Sequence, residues 1–391
     1  MPARLKQIVQ EHRFYSALIS GDALSLKSPI DKRLLVIARL GDLTMKPLVS
    51  ILIPAYNAEE FIADSIRSAI TQTWESKEVI VVDDGSSDGT AEIARRFAST
   101  DVSVVSKQNE GAAATRNRAF QLSQGDYIQW LDADDILAPD KIERQLAALR
   151  EGDGERILLS SSWGRFAYRT EHARFVPTSL WQNLAPVEWL LRKLGEHHFM
   201  QTATWLTSRE LAEAAGPWDT RLHVDDDGEY FCRVLLASSG IRFAPEARVY
   251  YRQGPSSRVS YIGASDNKKD AMLLSMKLHV QYLQSLERSE RVRKACMSYM
   301  QHHYIVFYPE RPDLMTELQA LAANLEGCLD EPELNWKYAW IKPVARFETA
   351  KWAQITLHEL KASLLRRWDK AMYLKSRSRC DYYPDCHIRG H

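Results

Sequence analysis

Two acidic runs in this chain each come directly after an apolar run. One begins at Asp83, after residues 78–82, and the other begins at Asp132, after residues 127–131. Short runs rich in valine, isoleucine and aromatic residues are typical of buried strands. Carboxylates that follow such strands lie at the carboxyl edge of the sheet, where open α/β sheets bind ligands. Because clustered carboxylates repel one another unless a cation joins them, the pattern predicts a divalent metal and a phosphorylated or nucleotide ligand.

Strand and helix patterns alternate over the first part of the chain. The predicted strands are 49–53, 78–82, 102–106 and 127–131, and the predicted helices are 59–72, 90–98, 112–122 and 139–149. Alternation of this kind predicts an α/β fold in which a largely parallel sheet has helices on both faces.

The alternation weakens after residue 155. Further strands are predicted at 157–161, 164–168 and 247–252, with a helix at 227–237, and the pattern from 265 to about 379 is helical. We therefore expect three parts. They are an N-terminal helical extension over 1–46, an α/β domain over 47–262 and a helical C-terminal region over 263–391.

Composition and charge exclude several classes of protein. The 391 residues include 51 Lys plus Arg and 51 Asp plus Glu, whereas a nucleic-acid-binding protein would carry a basic excess. Five scattered cysteines do not form a disulfide framework and fit a reducing compartment. No signal peptide or long apolar run is recognisable, so we expect a cytoplasmic protein without a membrane span.

A basic segment lies near the C-terminus. Residues 361–379 contain seven Lys and Arg against one acid, Asp369, with Trp368, Tyr373 and Leu374 among them. This composition suits peripheral contact with the inner, anionic face of a membrane. The alternative is a helix that packs on the α/β domain through its Trp and Leu residues.

A series of short motifs occurs in order between residues 47 and 258. They are Pro54-Ala55-Tyr56-Asn57, Val82-Asp83-Asp84-Gly85-Ser86, Asn109-Glu110-Gly111, Arg116-Asn117, Leu131-Asp132-Ala133-Asp134-Asp135, Gly216-Pro217-Trp218-Asp219 and Asp226-Asp227. In this order and spacing they resemble the family-2 glycosyltransferases, which have the Rossmann-like GT-A fold. The resemblance implies a transferase that moves a sugar, with inversion, from a nucleoside-diphosphate donor, in particular a UDP-sugar. The implied acceptor is a saccharide, such as a surface glycan, or a lipid-linked saccharide.

The resemblance also implies a metal site. Asp132-Ala133-Asp134 is similar to the family's DxD motif, which implies that Asp134 binds Mn²⁺ or Mg²⁺ and that Asp132 lies by the ribose. Such ions need hard oxygen ligands, often only one or two carboxylates together with phosphate and water. Asp135 is left out of this site because it can instead cap the helix that follows.

Further donor-binding residues follow from the same resemblance. It implies that Asp84 contacts the base and that Pro54, Ala55 and Tyr56 form the other wall. A carboxylate suits the N–H of a uracil-type edge, since it accepts hydrogen bonds without offering a donor. Arg116 is placed near the nucleotide, where its guanidinium can bind phosphate or the site's own carboxylates.

An inverting transfer also needs a general base on a segment other than the metal site. The family pattern places this base six residues before an arginine, so Arg233 indicates Asp227. The family's usual Glu-Asp pair corresponds to Asp226-Asp227, which makes Asp226 the second candidate. Asp225 leaves the register open by one residue.

The sequence argues against three other functions. A nucleotidyltransferase would carry a glycine-rich phosphate loop after the first strand, and Pro54-Ala55-Tyr56-Asn57 is not such a loop. A dinucleotide-dependent oxidoreductase would carry a Gly-x-Gly-x-x-Gly turn there. A protein that only binds nucleotide sugars would have less need of the three acidic motifs.

Zinc binding by Cys380, Cys386, His387 and His391 is disfavoured by their wide spacing.

Overall fold

The computed structural model describes residues 46–150, 153–154, 156–253, 265–334 and 347–380. The chain separates into two compact units, Met1–Pro47 and Leu48–His391, and all the elements below lie in the second. The predicted N-terminal extension falls outside the described residues except for Lys46, and so do Cys386, His387 and His391. The three-part division of the chain stays a prediction.

Nine strands are present in the described part of the chain. They are β1 (Val49–Ala55), β2 (Lys77–Asp83), β3 (Val102–Ser106), β4 (Tyr127–Trp130), β5 (Ile136–Leu137), β6 (Ile157–Phe166), β7 (Arg174–Phe175), β8 (Thr207–Ser208) and β9 (Gly240–Arg252). They form a five-stranded sheet of order β3-β2-β1-β4-β8 and a four-stranded sheet of order β5-β9-β6-β7.

Eleven α-helices accompany these strands in the same described ranges. They are α1 (Ile62–Ile70), α2 (Thr90–Arg95), α3 (Ala112–Leu122), α4 (Lys141–Ala147), α5 (Pro186–Gly195), α6 (Arg209–Ala215), α7 (Asp226–Ala237), α8 (Asp266–Leu286), α9 (Glu290–Tyr304), α10 (Pro312–Ala323) and α11 (Phe347–Cys380).

The five-stranded sheet confirms the predicted parallel core. Strands β1 to β4 are all parallel, and only the short β8 runs antiparallel, against β4. Ile51, Ile53 and Val81 are fully buried, as expected of strands that helices cover on both faces. Parallel strands joined by helical crossovers all end at the same edge, so the segments that follow β1, β2, β3 and β4 meet there.

The four-stranded sheet was not predicted as a sheet. The two strands expected at 157–161 and 164–168 are one strand, β6, with a β-bulge between Ser161 and Ser162. The strand expected at 247–252 is the end of the 13-residue β9. Strand β5 directly follows Asp135, so the second sheet begins where the second acidic run ends.

The helices of the C-terminal region share the core of the α/β domain. Met276 and Leu283 of α8 and Met300 of α9 are fully buried, and α9 packs against α5. Residues 265–323 are therefore built into the same folded unit as the predicted site, which the sequence pattern did not indicate.

The last helix, α11, contacts the rest of the protein through the buried Phe347 and Ala350 and through polar groups. Asp369 accepts hydrogen bonds from the backbone N–H of Tyr168 at 2.8 Å and from Nε of Arg169 at 2.7 Å. The alternative interpretation assigned this contact to Trp and Leu side chains, but the following are exposed, although Trp368 also lies against Arg169: Trp352, Leu360, Leu364, Leu365 and Trp368. In the described ranges no helix is both long enough and apolar enough to cross a membrane.

Candidate active site

The loops after β1 and β2 are joined to each other. The backbone N–H of Asn57 donates to Oγ of Ser86 at 2.9 Å, and Oδ1 of Asn57 accepts from the backbone N–H of Ser87 at 2.9 Å. Asn57 has a φ of 47°, a left-handed conformation that asparagine tolerates better than most residues. Tyr56 stands at this junction with half of its surface exposed, where an aromatic face is available to a ligand.

Asp84 is buried and its carboxylate already has three partners. It accepts hydrogen bonds from the backbone N–H of Glu110 at 3.0 Å and of Gly111 at 2.9 Å, and it forms an ion pair with Lys107. A carboxylate has about four acceptor positions, so one remains. Asp84 therefore holds the loop after β3 in place, and its contact with a base stays a prediction.

Arg116 joins two of the acidic motifs. From α3 it donates Nη1 to Asp226 at 2.5 Å and Nη2 to Asp132 at 2.9 Å. Burial works to lower the pKa of Arg116, but Asp226 and Asp132 outweigh it and raise that pKa above its ordinary value. The guanidinium is therefore a fixed positive charge between the two carboxylates, and its contact with the donor stays a prediction.

Trp218 contacts both Arg116 and Asn117. The guanidinium carbon of Arg116 lies 4.4 Å from the centre of the Trp218 ring, an arrangement in which the ring face attracts the cation. Asn117 donates to the carbonyl of Trp218 at 2.9 Å and accepts from its N–H at 2.8 Å. The Arg116-Asn117 and Gly216-Pro217-Trp218-Asp219 motifs thus form one contact.

The acidic residues of the run after β4 have different roles: Asp135 is structural, and Asp132 and Asp134 belong to the candidate site. Asp135 is fully buried, accepts from the backbone N–H of Arg252 at 2.8 Å and is hydrogen-bonded by Gln201. It links the two sheets and does not cap a helix. Asp132 and Asp134 are only partly buried, so each has surface that a ligand can reach, whereas Asp135 has none.

The acidic groups fit a metal that is held partly by its ligand. In the described residues no group of three or more His, Cys, Asp or Glu side chains is placed to hold a metal ion, so a cage made only of protein side chains is absent from that part. Mg²⁺ and Mn²⁺ often use one or two carboxylates and complete their shell with phosphate oxygens and water. Asp134, with Asp132 two residues before it, matches that requirement.

The three consecutive aspartates at the start of α7 have three different sets of partners. Asp226 pairs with Arg116. Asp227 accepts from Oγ1 of Thr202 at 3.0 Å and from the backbone N–H of Gly228 at 2.9 Å. Neither of these partners is charged, so among the described residues Asp227 has no ion pair of the kind that occupies Asp226.

Burial raises the pKa of both Asp226 and Asp227, against the opposing charge of Arg116. Burial, and then the charges of Asp226 and Asp225, raise the pKa of Asp227 to about 6. A carboxyl with this pKa is ionised at neutral pH and can take up a proton readily. The spacing to Arg233 predicted Asp227 as the base. In the structure Arg233 does not pair with Asp227 but with Glu229, at 2.7 Å.

Asp225 connects the site to the C-terminal helices. It has a φ of 56° and accepts from Oγ of Ser275 at 2.6 Å, and its carboxylate lies 3.6 Å from Nδ1 of the buried His279. Nδ1 of His279 also lies 3.2 Å from the hydroxyl of Tyr299. Asp225 is thus directed toward α8 and α9, which leaves Asp226 and Asp227 as the candidates facing Arg116 and Thr202.

Several residues of the site were missed from the sequence. Lys107 follows β3 at the same sheet edge as the acidic runs, so the rule that found Asp84 and Asp132 could also have found it. Gln201 and Thr202 lie in a 3₁₀ turn region with no periodic pattern, and nothing local indicates that they contact Asp135 and Asp227.

Removing Arg116 should destabilise the protein. Arg116→Met leaves Asp132 and Asp226 buried or partly buried without their cation, and breaking such a pair costs about 3–5 kcal/mol of the free energy of unfolding. Chemical denaturation measures this loss. Adding Asp226→Asn should recover part of it, because the unpaired charge is removed. Arg118→Met, at an exposed position of the same helix, is the control and should change stability by no more than about 0.5 kcal/mol. Equal losses for the two arginines would contradict the bridge.

Comparison with known proteins identifies the family. Residues 50–215 match the model described as Glycosyl transferase family 2. The putative teichuronic acid biosynthesis glycosyltransferase TuaG of Bacillus subtilis (strain 168) is 41% identical over 109 residues, which are 27% of this chain and 43% of the relative. An uncharacterized glycosyltransferase of Rickettsia typhi is 30% identical over 196 residues, which are 50% of this chain and 61% of the relative. The chain thus spans about half the length of these curated relatives.

A solved structure supports the fold. Staphylococcus aureus TarS 1-349, in complex with UDP-GlcNAc, superimposes with a TM-score of 0.57 over 72% of this chain and 81% of that chain. At 17% identity this likeness concerns the fold alone, and it confirms the predicted α/β architecture with flanking helices. Residues 50–215 thus match glycosyl transferase family 2, and the domain that contains them has the GT-A fold.

Proposed function

We propose that the chain is an inverting glycosyltransferase that moves a sugar from a UDP-sugar to a saccharide or lipid-linked acceptor. The Arg116 bridge is the observation that carries the proposal. It brings the DxD-type carboxylate Asp132 and the acidic segment of Asp226 and Asp227 to the two sides of one guanidinium. Asp132, at the proposed donor end, is thereby fixed relative to Asp226 and Asp227, at the proposed acceptor end.

The donor end is assigned to the loops after β1, β2 and β4. Tyr56 and Asp84 lie where the base would be held, and Asp132 and Asp134 lie at the end of β4, next to β1 in the sheet. A divalent ion held by Asp134 and the diphosphate would offset the charge that develops on the leaving group. The TarS structures are complexes with UDP-GlcNAc and with UDP, which supports a uridine nucleotide here.

The acceptor end is assigned to Asp227. The acceptor hydroxyl attacks from the face opposite the leaving diphosphate and must lose its proton as the new bond forms. Asp227 suits this role because Thr202 and Gly228 hold it in one orientation, while no cation of the described residues forms an ion pair with it. Asp226 suits it less, since its carboxylate is already occupied by the ion pair with Arg116, although burial raises the pKa of Asp226 as well. The name of TuaG, which refers to teichuronic acid, supports a surface polysaccharide as the acceptor.

Metal dependence is tested at Asp134. Asp134→Asn should weaken donor binding in the presence of Mn²⁺ or Mg²⁺, because a neutral amide cannot offset the cation, and a chelator should abolish transfer. Calorimetry and release of the nucleoside diphosphate measure the two effects. Asp101→Asn, at an exposed position, is the control. Full transfer in the presence of chelator would show the proposal to be wrong, and release of pyrophosphate instead would indicate a nucleotidyltransferase.

Base selectivity is tested at Asp84. UDP should bind far better than GDP, and Asp84→Asn should reduce this preference because the amide offers a donor where the base offers one too. Since Asp84 also holds Glu110 and Gly111, the thermal stability of the variant is measured in parallel. A variant that stays folded and still prefers UDP would refute the role of Asp84.

The general base is tested through pH. A carboxyl with a pKa of about 6 is ionised above that pH and protonated below it, so kcat/KM should fall as the pH drops through about 6. Asp227→Asn should lower turnover by roughly two to four orders of magnitude while UDP affinity is retained. The variant should unfold no more easily than the parent at pH 8, because it removes a charge that burial disfavours.

A variant of Asp226 tests which of the two neighbouring aspartates is the base. Asp226→Asn disturbs the Arg116 bridge, so it should lower thermal stability as well as turnover. If Asp227→Asn turns over normally and Asp226→Asn does not, Asp226 is the base. If both turn over normally, this segment does not supply the base.

Contact of α11 with an anionic membrane surface is part of the proposal. Exposed Leu360, Leu364 and Trp368 lie among seven basic residues in the segment 361–379, a composition that suits insertion between anionic headgroups. Leu360→Glu with Leu364→Glu should abolish cosedimentation with anionic liposomes at low salt and leave transfer to a soluble acceptor intact. Leu286→Glu, at an exposed position of α8, is the control. Absence of liposome binding by the unaltered chain would contradict the proposal.

A further inference from the structure

Two arginines lie directly opposite each other on the second sheet. Arg165 of β6 is the register partner of Arg174 of β7, and both side chains are exposed. In the described part of the chain neither forms an ion pair with an Asp or Glu. Like charges at directly opposed positions destabilise a sheet. A bound anion would offset this repulsion.

Aromatic rings hold one of these arginines in place. The guanidinium carbon of Arg165 lies 5.2 Å from the centre of the Trp163 ring and 5.6 Å from that of Phe199. Trp163 is buried, and its ring lies 5.8 Å from that of Tyr251. Phe199 is 41% exposed, so part of its surface remains available for the apolar face of a sugar ring. The arginine fork is thus oriented before any ligand arrives.

This surface borders the proposed acceptor end of the site. Phe199 precedes Gln201 and Thr202, which contact Asp135 and Asp227 respectively. A stretch of three residues spans at most about 10 Å, so the Cα atom of Phe199 lies within about that distance of the Cα atom of Thr202, whose side chain bonds the proposed base. The carboxyl end of β6 reaches the same place, since Phe166 pairs with Arg252, whose backbone N–H bonds Asp135.

We infer that Arg165, Arg174 and Phe199 form an acceptor subsite for a saccharide that carries a phosphate or carboxylate group. The inference rests on the proposed function, because Asp227 marks where the acceptor hydroxyl would be activated. Two guanidinium forks can each offer parallel N–H donors to an oxyanion, while Phe199 packs against the ring. A neutral sugar would leave the repulsion between the arginines unrelieved.

The test measures binding directly. Ligand-observed NMR with the full chain, in the presence of UDP, uses four probes: N-acetylglucosamine 6-phosphate, glucuronic acid, neutral N-acetylglucosamine and inorganic phosphate. We expect at least one of the two charged sugars to bind about tenfold more tightly than the neutral sugar. Arg165→Gln and Arg174→Gln should each weaken that charged sugar about tenfold and leave the neutral sugar unchanged. Phe199→Ala should weaken both.

Controls separate this inference from the proposed function. Arg118→Gln removes another exposed arginine, one that contacts only Gln121 among the described residues, and should leave all probes unchanged. UDP affinity should be the same in every variant, which shows that each is folded. If the unaltered chain binds the charged sugar but catalyses no sugar transfer, the proposed function is refuted and the subsite is not.

Three results would overturn the subsite. One is that no charged sugar binds more tightly than the neutral sugar. Another is that Arg165→Gln and Arg174→Gln bind the charged sugars as the parent does. The third is that inorganic phosphate binds as tightly as the sugar phosphate, since the surface would then hold an anion without recognising a saccharide. The relative affinities of the phosphate and carboxylate sugars show which group the natural acceptor carries.

Discussion

The buried guanidinium of Arg116 is the contact on which the rest of the site depends. Removing a charge of this kind from water is costly, and a single ion pair often fails to offset that cost. Here two carboxylates and the face of Trp218 surround the same group. Helix α3, the loop after β4 and the start of α7 are therefore fixed to one another, and none of them can shift without leaving a buried charge unpaired.

The aspartates at the start of α7 show how tertiary contacts give similar residues different properties. Burial works to raise the pKa of Asp225, but Lys193 and His279 outweigh it and hold that pKa below its ordinary value. Asp226 is paired with Arg116. Within the described ranges Asp227 forms no ion pair, and burial raises its pKa to about 6. The C-terminal helices take part in this division, because Ser275 and His279 on α8 draw Asp225 away from the other two.

The parallel half of the fold could be predicted because its signals are local. Strand β3 and helix α3 begin and end where the sequence predicts, since each is a run of one pattern between clear turn residues. The second sheet could not be predicted, because β5 and β7 have two residues each and too few positions to show alternation. Their pairing with β9 and β6 is decided by the long strands beside them and not by their own residues.

The sequence by itself determined the family, the parallel core and the acidic motifs that follow β2 and β4, because these depend on residues close together in the chain. Only the tertiary structure decided which side chains those motifs contact. Arg116 and Asp226 are 110 positions apart, and Asp135 and Arg252 are 117 apart. Spacing along a chain carries no information about such pairs, because they form only when the crossovers of the first sheet and the strands of the second bring distant segments to one edge.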